Sequence, residues 1–237
     1  MTLETINETL ESQRKAGKSV CITLDLDSTL YEVNTRTERI LHEAAVLPAI
    51  RELDPTAAEA LENVSVHVED WGIREVMSRY QIKATIDFFE AVRQYWVKHF
   101  FSHDYLAYDQ VAPGALDWVK DKFEKGFHIH YLTGRDIPRM GVGTRKRLEA
   151  DGFPLEEPNC KLHMKPRSGL PDDHYKTEVT KHLTGQFDEV WFFENEPVNL
   201  YAVERALPDV HLVFFDSVHS RKMTSPDHMM FLSGRFK

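Results

Sequence analysis

Cysteine is scarce: Cys21 and Cys160 are the only two in 237 residues. That is too few for a disulfide scaffold. Cys21 also stands inside an apolar run, so both are expected to be reduced thiols of a cytoplasmic protein. No apolar stretch reaches the length of a membrane-spanning helix. Residues 1–18 are polar and of mixed charge, without the apolar centre of a secretory signal. Repeats and low-complexity segments are absent, which leaves solenoids and tethers aside. Positive charge is also in deficit. Lys and Arg number 29 against 38 Asp and Glu, a net charge of −9, which argues against nucleic acid and acidic membranes as partners. What remains is an apolar fraction of 42% and a charged fraction of 28%, suited to a globular fold of one large or two modest domains.

Short apolar runs ending in polar loops recur at 20–25, 127–133, 161–164, 189–194 and 211–216, with helix-like stretches between most of them. That alternation indicates an α/β fold with a parallel sheet, in which ligands bind beyond the C-terminal strand ends. Residues 32–108 differ, because no convincing strand falls there. Ile40, Leu41, Ala44, Ala45 and Leu47 mark one helix, Trp71 to Tyr80 a second, and Ile86 to Phe101 a third. Pro55 and Gly72 punctuate them, and Pro113-Gly114 marks the return to the sheet. Helical spacing assigns Phe88, Phe89, Trp96, Phe100 and Phe101 to the core of that block. The tail, 217–237, reads as irregular and locally basic.

The first apolar run opens into Asp25-Leu26-Asp27-Ser28-Thr29. Side chains two apart on an extended segment point the same way, so Asp25 and Asp27 can converge on one ligand. Acids there are costly to desolvate without a cation or hydrogen bonds, although a plain surface turn also favours Asp, Ser and Thr. The run at 127–133 ends in Thr133-Gly134-Arg135-Asp136. A hydroxyl beside a glycine suits phosphate, since Thr133 can donate a hydrogen bond and Gly134 lets a backbone N–H approach an oxygen.

Asp-x-Asp-x-Thr behind a hydrophobic strand resembles the first motif of the haloacid dehalogenase superfamily, and the strand ending in Thr133 resembles its second. The resemblance implies a Rossmann-like parallel sheet with helices on both faces, formed by residues 1–31 and 109–237. The segment 32–108 is then an all-helical cap inserted after the first motif. The implied activity is that of a Mg²⁺-dependent phosphohydrolase acting on a small phosphomonoester. Asp25 would attack phosphorus to give an aspartyl-phosphate, with Asp27 as acid and then base. Thr133, Gly134, Arg135 and a lysine would hold the phosphoryl group. Lys165 and Lys176 are both candidates for that lysine; the order lysine, helix, strand, acids favours Lys176.

The fourth motif departs from the family, which usually carries aspartates where this chain has Glu194-Asn195-Glu196. Mg²⁺ takes oxygen ligands and keeps several waters, so a longer carboxylate or an amide can serve. Asp25, the backbone carbonyl of Asp27 and Glu194 are the implied ligands, with Asn195 a second candidate or a supporting group. Charge balance points the same way. Two carboxylates about 4 Å apart repel by about 4 kcal/mol at an effective dielectric of 20, so acids around a phosphate need cations.

Asp27 argues against carbon–halogen hydrolysis, because halide leaves without a proton. A phosphomutase and a nucleic-acid-end 3′-phosphatase remain enzyme alternatives. A catalytically silent binder of phosphorylated ligands is the alternative of another class, supported by the Glu194-Asn195-Glu196 departure. Arg36, Arg39, His67, Trp71, Arg74 and Arg79 are candidate readers of the substrate, whose identity the sequence leaves open, as it does the oligomeric state. His128 with His130 and His99 with His103 have zinc-compatible spacing but no third ligand nearby.

Overall fold

The computed structural model describes residues 2–236; residues 1 and 237, the ends of the expected core segments, lie outside it. In chain order, α1 (Leu3–Lys15) leads into β1 (Val20–Leu24), followed by β2 (Tyr31–Glu32). Five helices come next: α2 (Asn34–Val46), α3 (Pro48–Arg51), α4 (Pro55–Leu61), α5 (Ile73–Arg79) and α6 (Ile86–Phe100). A 3₁₀ turn at Asp104–Tyr108 precedes β3 (Gln110–Val111), α7 (Ala115–Glu124) and β4 (His128–Asp136). The remainder is α8 (Ile137–Asp151), β5 (Cys160–Lys165), α9 (Asp172–Thr184), β6 (Glu189–Glu194), α10 (Pro197–Ala206), β7 (His211–Phe215) and β8 (Met230–Leu232).

Six strands form one sheet in the order β5-β4-β1-β6-β7-β8, with every pairing parallel. The expected α/β architecture is therefore present. Period-two alternation supplies both faces. Ile22, Ile129, Trp191, Phe193 and Val213 pack on one side against Ile6 and Leu10 of α1, Trp118 and Val119 of α7 and Leu148 of α8. Cys21, Leu132, Val190, Phe192 and Phe214 pack on the other against Leu183 of α9 and Leu200 and Val203 of α10. With both faces covered, the strands read as continuous apolar runs, which is why they were visible in sequence.

Helices α2 to α6 have their own core, including Leu41, Ala44, Ile50, Leu61, Val76, Phe88 and Val92. Pro55 opens α4, and Gly72 precedes α5. The chain enters and leaves this helical block through β2 and β3, an antiparallel two-stranded ribbon. Strands of two residues carry no readable periodicity, so the ribbon was not foreseen. The tail departs from expectation as well: β8 lies within it and pairs with β7. Its three residues at the sheet edge are too few to alternate. No helix among the described residues is long and apolar enough to cross a membrane.

Candidate active site at the C-terminal edge of the sheet

β1, β4 and β6 are the neighbours at the sheet centre, and the chain leaves β1 for β4 and β5 before crossing back to β6. Their C-terminal ends border the crevice that such a reversal opens. Asp25, Asp27, Thr133, Gly134, Arg135, Lys176, Glu194 and Asn195 all line one cleft there, about 1400 Å³ in volume. The opposite wall of the cleft comes from the helical block.

Lys176 fills the bottom. It shares the inward stripe of α9 with Thr180 and Leu183, an apolar position for a charged side chain. Its Nζ donates to Asp25 Oδ1 at 2.7 Å and to Glu194 Oε2 at 2.5 Å, with all three side chains buried. Burial works against the ammonium, but the two acids outweigh it and raise its pKa. Lys165, the other candidate, instead meets Asp172 Oδ1 at 2.5 Å and the Leu170 carbonyl at 3.0 Å. Asp172 is the first residue of α9, with Pro171 at the cap. A Cβ at Gly134 would meet the Asp172 carboxylate, so any larger residue there would displace that side chain from its place beside Lys165.

Two acids against one lysine leave an excess negative charge. Burial first, and then Glu194, push Asp25 up to about 8, against the pull of Lys176. Burial also raises Glu194. A further cation would remove that strain, and the available donors are all oxygens: Asp25, Glu194, the Asn195 amide and backbone carbonyls. That set fits Mg²⁺, which keeps several waters. No cluster of three His, Cys, Asp or Glu side chains able to hold a metal occurs among the described residues, so the carboxylates offered are two. Glu194 Oε1 also accepts the Glu196 N–H at 3.0 Å. Asn195 Oδ1 accepts only the Thr29 hydroxyl, at 3.4 Å, while its Nδ2 donates to the Val218 carbonyl at 2.7 Å.

Asp27 points elsewhere. Ser28, in the left-handed region at φ 61, turns the chain directly after it. Arg36 Nη2 lies 2.6 Å from Asp27 Oδ1, and Arg135 donates to both carboxylate oxygens, at 2.5 and 3.1 Å. Burial would raise this acid, but the two guanidiniums hold it well below the usual carboxylate range. Arg135 Nη2 also donates to Asp109 Oδ2 at 2.8 Å. Arg36 Nε lies 2.8 Å from Asp109 Oδ1, close but poorly aligned for a hydrogen bond. The result is a square of two arginines and two aspartates, in which Arg36, Arg135 and Asp109 are buried and Asp27 is 32% exposed to the cleft. Arg135, expected at the phosphoryl group, has its guanidinium in this square. Thr133 Oγ1 accepts the Arg135 N–H at 3.2 Å.

Of the other candidate readers, Trp71 and Arg74 line the cleft, whereas Arg39, His67 and Arg79 do not. The aromatic assignment holds for Phe88, buried in the block core, and in part for Phe89 and Trp96, which pack against that core. Phe89 and Trp96, with Phe100 and Phe101, also line the cleft. Helical spacing shows that a face is apolar but not what it faces. Sequence reading also missed Asp109, and it missed the loop after β7. There Ser217 Oγ donates to the Ser28 carbonyl at 2.5 Å, and Ser220 donates to Glu196 through its N–H at 2.9 Å and Oγ at 2.6 Å. Only the loop's position beyond a strand end could have flagged it. His130 and His163 are hydrogen-bonded to each other at 3.1 Å, away from the cleft.

No protein-family model and no curated protein matches the sequence. Solved structures do match in fold. CbbY from Rhodobacter sphaeroides, solved in complex with phosphate, is 15% identical, with a TM-score of 0.53 over 92% of this chain and 95% of that one. A haloacid dehalogenase-like family hydrolase from Streptococcus pneumoniae is 11% identical, with a TM-score of 0.52 over 92% of this chain and 96% of its own. Protein Tyrosine Kinase A of Mycobacterium tuberculosis is 14% identical, with a TM-score of 0.52 over 91% and 94%.

Proposed function

The chain has the haloacid dehalogenase fold, and from its cleft we propose a Mg²⁺-dependent phosphohydrolase acting on a small phosphomonoester. The domain division belongs to the same proposal: 1–31 and 109–237 as catalytic core, 32–108 as cap. One observation carries the reading. A buried lysine bridges Asp25 and Glu194 at the floor of a cleft that Thr133 and the Gly134 backbone also line.

Asp25 attacks phosphorus, forming an aspartyl-phosphate as the bond to the leaving oxygen breaks. Arg36 and Arg135 hold Asp27 ionised at rest, so it must enter the cycle protonated to give that oxygen a proton. It later takes one from the water that hydrolyses the intermediate, so each cycle ends as it began. Arg36 and Arg135 fix the two oxygens of Asp27 for these transfers. Thr133, the Gly134 N–H and Lys176 bind the phosphoryl oxygens, and Lys176 also offsets charge on Asp25. Asp25, the Asp27 carbonyl and Glu194 would hold Mg²⁺, with Asn195 beside them. Bound there, it supplies positive charge against the phosphoryl oxygens.

The test is a phosphomonoester panel with Mg²⁺, run beside Asp25→Asn. Turnover by the wild type and none by the variant supports the reading; equal turnover refutes the role of Asp25. The silent-binder alternative draws on Glu194, whose two oxygens are already engaged by Lys176 and the Glu196 N–H. It predicts no turnover and no calorimetric Mg²⁺ binding.

A further inference from the structure

Helix α6 presents a second apolar face. Phe88 and Val92 are its buried residues, and they point into the block core. Phe89, Arg93, Trp96, Val97 and Phe100 recur at i, i+4, i+7, i+8 and i+11, which is a single helix face, and all five line the cleft. Trp96 and Phe100 are stacked, with centroids 4.4 Å apart and planes at 28°. Phe101 meets Phe100 edge-on at 5.1 Å.

This wall begins at the acids. The guanidinium of Arg36 lies over the Phe100 ring, 4.1 Å from its centroid, while its Nη2 holds Asp27 at 2.6 Å. Phe100 is thus one guanidinium away from Asp27, and Trp96 stands one ring further out. The indole is also fixed, since Trp96 Nε1 donates to Thr37 Oγ1 at 3.2 Å. A rigid pair of flat rings reached from the phosphoryl end of a cleft is suited to a flat ring attached to that phosphoryl group.

Resting on the phosphohydrolase reading, we propose that the substrate is a phosphomonoester whose leaving group carries a planar aromatic ring, bound against Trp96 and Phe100. Simple aryl-alkyl phosphates and nucleoside monophosphates share that chemistry. With Arg36 over the Phe100 ring and Trp96 stacked on it, a ring close to the phosphoryl group meets the edge of Phe100, and a ring held further out by a sugar meets Trp96.

The experiment compares pairs that differ in the ring but leave as similar alkoxides: benzyl against cyclohexylmethyl phosphate, and adenosine 5′-monophosphate against ribose 5-phosphate. The aromatic member of at least one pair should show a kcat/KM about three- to tenfold higher, the range aromatic pairing gives beyond area burial. A preference confined to the first pair assigns a simple aryl group, and one confined to the second assigns a nucleoside. The preference should fall towards unity in Trp96→Leu and Phe100→Leu, and it should survive in Trp96→Phe. Binding of benzylphosphonate and cyclohexylmethylphosphonate to the wild type, read by calorimetry, separates this inference from the reaction. Tighter binding of benzylphosphonate without hydrolysis of any ester would overturn the phosphohydrolase and keep the ring subsite. Equal hydrolysis within both pairs, or a preference unchanged in both leucine variants, would overturn the ring subsite and keep the phosphohydrolase.

Discussion

Lys176→Met removes the positive charge from the floor of the cleft while keeping an unbranched stem. The ammonium sits 2.7 Å from Asp25 Oδ1 and 2.5 Å from Glu194 Oε2. Unit charges that close attract by about 6 kcal/mol per pair at an effective dielectric of 20. Most of this is offset by the cost of taking three charges out of water, so the gross sum is not the expected effect. Deleting one partner leaves the others buried without compensation, which typically costs about 3–5 kcal/mol. Urea unfolding in metal-free buffer at neutral pH should show a loss of that size. Lys165→Met is the control: Lys165 is itself buried, but its partner Asp172 is half-exposed and stays hydrated when the lysine is removed, so no buried acid is stranded and the loss should be smaller. Adding Glu194→Gln to Lys176→Met should restore part of the loss, since one stranded acid is gone. Turnover should collapse in Lys176→Met and persist in Lys165→Met. If the two single variants unfolded within about 1 kcal/mol of each other, or Lys165→Met were the inactive one, the bridging role of Lys176 would be refuted.

Asp25→Asn should abolish turnover yet leave the metal-free melting temperature unchanged or higher, because it relieves the excess charge beside Glu194; a clear drop in melting temperature counts against this. Glu194→Ala should raise the Mg²⁺ concentration for half-maximal activity, with Glu194→Asp between it and the wild type and Asn195→Ala least affected. A larger defect in Asn195→Ala would move the ligand one residue along. Burial, reinforced by neighbouring charge, lowers His130 to about 3 and His163 to about 4 from a usual 6.5. Below 6.5 the unfolded chain therefore takes up protons that the folded chain refuses. Stability should be full above pH 6.5 and fall towards pH 4, by about 1.4 kcal/mol per pH unit for each histidine. His130→Leu should show a shallower fall in urea midpoints across that window, and parallel curves would contradict the assignment.

β1, β6 and β7 were legible because burial on both faces gives them apolar runs, and β5, at the sheet edge, through its alternation of Cys160, Leu162 and Met164 with polar residues. The acids and hydroxyls were legible because they stand where strands end. The partners of those acids were not. Arg36 read as one cationic residue among several on a helix, and Asp109 was not singled out at all; nothing local distinguishes a buried guanidinium from a solvated one. Their meeting with Asp27 and Arg135 depends on how α2 docks beside β4, a contact between distant segments. The aromatic face of α6 was legible only in part, for a related reason: Phe89 and Trp96 pack against the block core as expected, but they also face the cleft. Its period is correct, but the neighbour of each face is set by the return of the chain through β3. The choice of Lys176 over Lys165 rested on order along the chain, and the geometry adds a reason that sequence could not: α9 carries Lys176 between two acids.

Arg36 and Asp109 also bear on how the cleft can open. Arg36 stands near the start of the helical block and Asp109 just beyond its end, so the square they form with Asp27 and Arg135 pins both chain crossings to the core. The β2–β3 ribbon lies at the same place. On the far side the block meets the core loop through Arg221 and Glu75, 2.6 Å apart, with side chains 66% and 32% exposed. A pair so exposed contributes about 1 kcal/mol or less, whereas pulling one charge out of a buried network costs several. Parting Arg221 from Glu75, in a rotation about the pinned crossings, would therefore cost less than separating the charges at the crossings. Such a rotation moves the outer ends of the cleft most and leaves Arg36, Phe100 and Asp27 together. The contacts that orient the oxygens of Asp27 are thus the last that such a rotation would break.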